Sequence, residues 1–439
     1  MMKAIRFYPP AFDIRVESVP VPRIQHPDDA VVKVAGYAVR GAIRYASQNL
    51  IMMPGSDLHI YRGHGGVTQV HTCGHEFVGE VVELGSSFEQ AVDGRPALYA
   101  KLKIGDKVVS PFTSNCGECS VCRLGYTCRC PSGFLFGSPS LDGGQAQYVR
   151  VPYAGGTLFN LSDPSTWSSS MPAAAKEQAL SAITDSSLLL LADILPTGVF
   201  AALQALNHPK VLPAITGKPW PSMIAADSDA VATMKPEDQI LTFAIIGLGP
   251  VGLCASVSLI DMLETQRLQY QIIAVDPVES RRDKAQTIYD KIKSSGSASG
   301  KFAALSIEEA RETVKTWTAG TGCTAVLEVV GNNSALSLAY DLVRAFGVIT
   351  SVGVHGSPAV PFVGSQLYNK NVSFDFGRCP ARAMFPMAFD LLVKRQDIFG
   401  SVGDSASLVE KVVSADEAVE YYAAFNDSKI GKVLFDMQV

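Results

Sequence analysis

The sequence predicts an α/β protein in two parts: a β-rich first part, then a doubly wound parallel sheet with helices on both faces. Three observations carry this prediction. At 439 residues the chain is too long for one ordinary core. Its early stretch shows short alternating strand patterns before any long helical period. From Leu241 onward, apolar strand-like runs alternate with helix-like segments.

In chain order, Ala30–Val34 (AVVKV) and Phe77–Leu84 (FVGEVVEL, stopped by Gly85) read as strands. The turn Gly105-Asp106 leads into another at Lys107-Val108-Val109. Character changes after about Pro152, and Trp167–Leu195 is rich in Ala, Ser and Leu and helix-like. Leu241–Ile246, the glycine turn Gly247–Gly252, a helix over Leu253–Leu263 and the strand Gln271–Val275 form a βαβ pattern. Further strands are expected at Ala325–Val330 and Val348–Val352. Asn207–Asp238, Pro-rich and aperiodic, reads as a surface excursion, and Lys293–Lys301 (KSSGSASGK) as a flexible loop.

Composition narrows the function classes. Apolar residues make up 47% and charged residues 18%, which suits a packed enzyme and excludes disorder. A net charge of -5 offers no basic face, so the expected partner is a small molecule rather than nucleic acid. Met1–Ile14 shows no secretory signal pattern. The richest apolar run, Leu188–Leu195, is interrupted by Asp193, closed by Pro196, and too short for a bilayer. A cytoplasmic protein without membrane contact is expected.

Four of the nine cysteines cluster as Cys116, Cys119, Cys122 and Cys130, with C-x2-C-x2-C-x7-C spacing. One loop can wrap four thiolates around a tetrahedral Zn2+, which leaves no position for substrate, so this is a structural site. Cys128 is a bystander.

The glycines of IIGLGPVG, Gly247, Gly249 and Gly252 with Pro250 and Val251 between them, follow a strand and open a helix. They allow a pyrophosphate to approach the backbone at a helix N-terminus. Asp276 ends the next strand, where a carboxylate accepts hydrogen bonds from ribose hydroxyls. That favours NAD over NADP, while Arg281 and Arg282 soften the preference.

Two further segments carry chemistry: Gly55-Ser56-Asp57-Leu58-His59 and Gly74-His75-Glu76. His75 is a candidate metal ligand with Glu76 or Asp57 as neighbouring carboxylates, and Ser56 and His59 can relay a proton.

Taken together, these motifs resemble the zinc-containing medium-chain dehydrogenase/reductase superfamily, most closely its formaldehyde-dehydrogenase-like and sorbitol-dehydrogenase-like branches. The resemblance runs in order through GSDLHIYRG, GHEFVGEVVELG, GDKVV, the four cysteines, ADILPTGVFAA, GLGPVG, VLEVVGN and SVGVHG. It implies a GroES-like catalytic domain over 1–180, a Rossmann NAD-binding domain over 181–361, and a return to the catalytic domain over 362–439. It also implies a second zinc that polarises the substrate oxygen, held by a cysteine before Gly-Ser-Asp, by His75 and by Asp193, with Glu76 in or near its shell. Asp57 would support that site, while Ser56 and His59 would carry the alcohol proton outward. Thr197 would lie near the nicotinamide, and Glu328, Val330 and Gly331 would lie along the cofactor. An alcohol or aldehyde substrate and a homodimer or homotetramer are implied as well.

The chain departs from the family at one ligand. Where the family has Cys-Gly-Ser-Asp, it has Pro54-Gly55-Ser56-Asp57, and Arg40–Pro54 reads as an insertion of a dozen or more residues. Proline cannot bind zinc, so the catalytic metal is left with the pair His75 and Asp193, and with Glu76 or water filling in. Cys73 replaces the missing thiolate only if the backbone turns it toward His75. Three readings follow: an NAD-dependent alcohol dehydrogenase with an impaired zinc site, a catalytically silent NAD-binding homologue with its structural zinc, and a zinc-independent reductase.

Overall fold

A computed structural model describes the chain except residues 35–49, 54–56, 64–65, 90–91, 221–233, 357–358 and 438–439. The chain divides into two units, Met1–Pro196 with Pro380–Val439, and Thr197–Cys379.

The first unit draws from its first segment the strands β1 (Met2–Tyr8), β2 (Asp13–Val19), β3 (Ala30–Val34), β4 (Leu50–Met52), β5 (His71–Thr72), β6 (Phe77–Leu84), β7 (Lys107–Ser110), β8 (Tyr148–Val151) and β9 (Phe159–Asn160). β1 pairs antiparallel with β2 along its whole length and with β5 on its other side. Their inward residues, Ile5, Phe7 and Ile14, join Phe77, Val81 and Phe136 in one apolar core. Alternation along β1 and β6 aims that face inward.

The second unit contains β10 (Leu241–Ile246), β11 (Tyr270–Val275), β12 (Lys301–Leu305), β13 (Cys323–Glu328), β14 (Val343–Ser351) and β15 (Ser373–Phe376). They form one parallel sheet in the order β12-β11-β10-β13-β14-β15. Every residue of β10, β11 and β13 is buried, as a sheet covered on both faces requires. The polar exceptions satisfy each other: Gln271 Nε2 donates to Thr242 Oγ1 at 2.8 Å. The chain then returns to the first unit with β16 (Val409–Ser414) and β17 (Lys432–Asp436), giving the sheet order β16-β17-β4-β6-β3-β8.

Both sequence-based boundaries, after residues 180 and 361, fall earlier than the observed ones. Leu189–Ala192 stays with the first unit, where the Phe112 amide donates to the Ala192 carbonyl at 3.2 Å. β15 extends the parallel sheet through Val348↔Ser373 to Ser351↔Phe376, so the return begins at Pro380.

Several local readings are also corrected. The helix Glu279–Ser294 and β12 consume both ends of Lys293–Lys301, leaving only Ser295–Gly300 between them. Helix Pro250–Thr265 starts earlier and ends later than the apolar period suggests, because Pro250 suits the first turn. Trp167–Leu195 is broken into the helices Ala173–Ala182 and Asp185–Leu188 and a 3-10 turn. Within Asn207–Asp238 the chain forms the short helix Leu212–Thr216.

The expected insertion Arg40–Pro54 lies mostly outside the described residues, and its described part includes β4. Val34 on β3 faces Gly79 on β6, and Ile51 on β4 faces Phe77. Two steps along β6 are therefore matched by seventeen residues of chain, so the surplus falls between β3 and β4. Leu50–Met52 is an integral strand between β17 and β6, and Met52 and Met53 are fully buried. Pro54 lies outside the described residues. Among the described residues no single helix is long and apolar enough to cross a membrane.

Candidate active site

His75 lies between β5 and β6, where Gly74 takes φ +88° and a Cβ on it would meet Gln145 Cγ at 2.4 Å. This close passage holds His75 in the interior, 5% exposed. Its Nδ1 lies 3.3 Å from Asp57 Oδ1 and its Nε2 3.3 Å from Asp193 Oδ2. Burial alone would depress the imidazole, but the two carboxylates outweigh it and lift the pKa to about 10. Without a cation, His75 therefore carries a proton between two acids.

Asp57, in the short helix Asp57–Tyr61, is held in turn. Its Oδ2 lies 3.2 Å from Gln145 Nε2 and 3.3 Å from the Tyr422 hydroxyl, which is 2.8 Å from Gln145 Oε1. All three are buried. Glu76 is wholly buried, and its Oε2 accepts from Lys432 Nζ at 2.8 Å, a lysine opening β17 that is also inaccessible. Burial raises the Glu76 carboxyl, with Lys432 opposing. Its Oε1 has no partner among the described residues. A bare carboxylate oxygen inside a protein is costly, and a cation held by His75, Asp193 and Glu76 would satisfy it.

His59 is half-buried on the same short helix as Asp57, and Ser56 lies outside the described residues. Cys73 is buried on the Asp57 side: it shares a small apolar pocket with Phe7, Asp57, Tyr61 and His71, and burial, then Asp57, push its thiol well up. Among the described residues neither Cys73 nor Glu76 converges with His75 and Asp193 into a three-ligand group, so a metal on that pair would have to draw Glu76 in.

Cys116, Cys119, Cys122 and Cys130 do converge, with all four sulfurs within 4.8 Å of one another. Cys116–Cys130 and Cys116–Cys122 are 3.6 and 4.0 Å apart, close to the ~3.8 Å edge of a tetrahedron with Zn–S bonds of about 2.3 Å. Amides of Glu118 and Cys119 donate to Cys116 Sγ, and that of Cys122 to Cys119 Sγ. The Cys122 amide leads in lowering the Cys119 thiol to about 7, whereas burial raises Cys122 and Cys130. The preformed sulfur cage fits a structural zinc.

At the end of β10, Gly247 takes φ +95°, and a Cβ on Gly252 would stand 1.8 Å from the Gly247 carbonyl oxygen. A Cβ on Gly249 would meet nothing within 4 Å, so that side stays open for a phosphate. Pro250 and Val251 open the helix behind it. Asp276 is nearly inaccessible and accepts the amides of Leu248 and Val278 at 2.8 and 2.9 Å. Arg281 Nη1 lies 3.7 Å from Asp276, whereas Arg282 is committed to the carbonyls of Asp276 and Pro277. Val330 is 38% exposed past the end of β13, Gly331 follows at φ +86°, and Thr197 is buried.

Gln145, Tyr422 and Lys432 were not found by motif. They reach the His75 centre from other parts of the chain, and the only sequence signal is a lysine opening the apolar run KVLFD.

The sequence matches the family descriptions "Alcohol dehydrogenase GroES-like domain" over residues 47–163 and "Zinc-binding dehydrogenase" over 250–405. It is 35% identical to zinc-type alcohol dehydrogenase B of Aspergillus flavus, over 99% of this chain and 81% of that one. It is 36% identical to a medium chain reductase/dehydrogenase of an Acremonium species, over 84% of this chain and 98% of the other. Among solved structures, the alcohol dehydrogenase of Thermus sp. ATN1 superposes with a TM-score of 0.69 at 26% identity, covering 99% of both chains. The β-rich unit, parallel sheet, sulfur cage and glycine turn thus agree with full-length relatives: this chain is an oxidoreductase belonging to the zinc-type alcohol dehydrogenases of the medium-chain dehydrogenase/reductase family.

Proposed function

We propose that the chain transfers hydride between an alcohol, or its aldehyde or ketone, and NAD, with a catalytic zinc site weakened by Pro54 in place of the family cysteine. The observation that carries this reading is the unpartnered Oε1 of buried Glu76 beside the His75–Asp193 pair. His75, Asp193 and Glu76 would hold the metal. When bound, zinc would polarise the substrate oxygen and NAD would supply the hydride acceptor. Asp57 fixes the His75 ring through Nδ1, and Lys432 holds Glu76 through Oε2. Ser56 and His59 would carry the alcohol proton to solvent. The Gly247 turn and Asp276 would take the cofactor's phosphates and first ribose, with Arg281 tempering the preference for NAD; Thr197, Val330 and Gly331 would complete its site.

A second reading, a silent homologue that keeps only the structural zinc, is favoured by Pro54 and by the surplus chain just before β4. Zinc per chain, measured with NAD-dependent turnover on a panel of alcohols, separates the two. Two zincs with turnover supports the first; one zinc without turnover supports the second. A cytoplasmic homodimer or homotetramer belongs to the same proposal, and light scattering of the purified protein tests the assembly.

The cofactor site has its own check. Gly252→Ala puts a methyl group against the Gly247 carbonyl, so the turn has to open. NADH affinity is expected to fall about 10- to 100-fold, for a strain of roughly 1–3 kcal/mol. Unchanged NADH fluorescence titrations would refute this use of the turn.

A further inference from the structure

A side-chain cluster on the rim of the parallel sheet contains a histidine, His355, that has no role in the function proposed above. Glu328, ending β13, is completely buried. Its Oε1 accepts the amides of Val330 and Gly331, both at 2.8 Å. Its Oε2 accepts the Ser351 hydroxyl at 2.6 Å and lies 3.1 Å from His355 Nε2, itself 2.8 Å from Ser351 Oγ. Phe376, ending β15, packs on the imidazole with ring centroids 4.5 Å apart. One nitrogen of His355 is thereby tied to a buried carboxylate, while Nδ1 makes no hydrogen bond among the described residues.

A Ser–His–Glu set suggests a nucleophile, and burial excludes it. Ser351 is fully inaccessible and gives its hydroxyl proton to Glu328, so no acyl group reaches it.

The position of the cluster is more informative. A Cβ on Gly247 would meet Val330 Cγ2 at 2.6 Å, and one on Gly331 would meet the Val354 carbonyl oxygen at 2.5 Å. The turns after β10, β13 and β14 are therefore packed side by side, and His355 follows Val354 directly. Dinucleotides lie across the carboxyl ends of such strands where the strand order reverses, here between β10 and β13. From Asp276 after β11 to His355 past β14 is three strand spacings, about 14 Å. A dinucleotide with its phosphates on the Gly247 turn and its first ribose at Asp276 extends its other half toward β14.

Resting on the NAD reading above, we propose that His355 binds the second half of the dinucleotide, its anchored imidazole offering Nδ1 to the hydroxyls of the nicotinamide-side ribose. Anchoring through Glu328 and Ser351 fixes the ring before the ligand arrives, which reduces the entropy lost on binding.

Calorimetric titration of the full-length protein with NADH, ADP-ribose and ADP tests this, because ADP stops at the pyrophosphate. His355→Ala is expected to weaken NADH and ADP-ribose about five- to tenfold and to leave ADP affinity unchanged. His355→Asn, which keeps a polar atom near the Nδ1 position, is expected to lose less. Unchanged NADH affinity in His355→Ala, an equal loss for ADP, or equal losses in both variants would overturn the assignment. A wild-type protein that binds none of the three ligands would overturn the NAD reading itself, and this inference with it.

Discussion

Lys432→Met is expected to cost about 3–5 kcal/mol of folding stability near neutral pH, because it strands the Glu76 carboxylate in the interior. Both partners are inaccessible, so water cannot replace the ammonium. The length of the methionine side chain limits any cavity, which leaves charge as the main change. Urea unfolding of wild type and variant at equal zinc content measures the loss. The pH dependence identifies its origin. Burial already raises the Glu76 carboxyl, and removing Lys432 raises it further. The folded variant then binds more protons than the unfolded chain, so its stability falls as pH rises. The penalty is expected to shrink toward pH 5 and to grow above pH 7. Adding Glu76→Gln to Lys432→Met should recover most of the loss. A pH-independent penalty, or none, would show that the pair does not act as an ion pair.

Pro54→Cys is expected to bring a second, tightly held zinc to each chain. Loss of residues that merely support metal ligands costs about 10- to 100-fold in affinity, so restoring a thiolate ligand should gain at least about 100-fold. Chelator competition measures the gain, and a sulfur-to-metal charge-transfer band with Co2+ in excess of the wild type's four-cysteine band shows that the new cysteine is bound. In either protein, metal uptake at this centre displaces the proton that Asp57 and Asp193 hold on His75, whose pKa stands at about 10. Affinity is therefore expected to rise about tenfold per pH unit between pH 6.5 and 8.5, before any contribution from the new thiol. A wild-type chain already holding two zincs tightly, or an affinity flat with pH, contradicts this account.

How much of this the sequence disclosed depends on how local each feature is. The sulfur cage is legible because one loop supplies every ligand from Cys116 to Cys130, and the phosphate turn because Gly247 to Gly252 is a single bend. Asp57, His75 and Asp193 are recognisable only within their short motifs, yet they meet in space. The groups that hold them, Gln145, Tyr422 and Lys432, stand 88 to 365 residues from their partners and belong to no motif. The surplus chain was legible as an overlong link before Gly55, but that Leu50–Met52 within it forms a strand needed the pairing across β6. SVGVHG was visible as a motif, but the partnership of His355 with Glu328 needs two adjacent strands.

The discontinuous first unit has a consequence for synthesis. Translation delivers the parallel-sheet unit, contiguous over Thr197–Cys379, before the partner strands and helix that complete the unit begun earlier. Until Tyr422 and Lys432 leave the ribosome, Asp57 and Glu76 lack two of their stabilising neighbours. Asp57 and Glu76 are therefore made well before the groups that hold them, with the whole parallel-sheet unit synthesised in between.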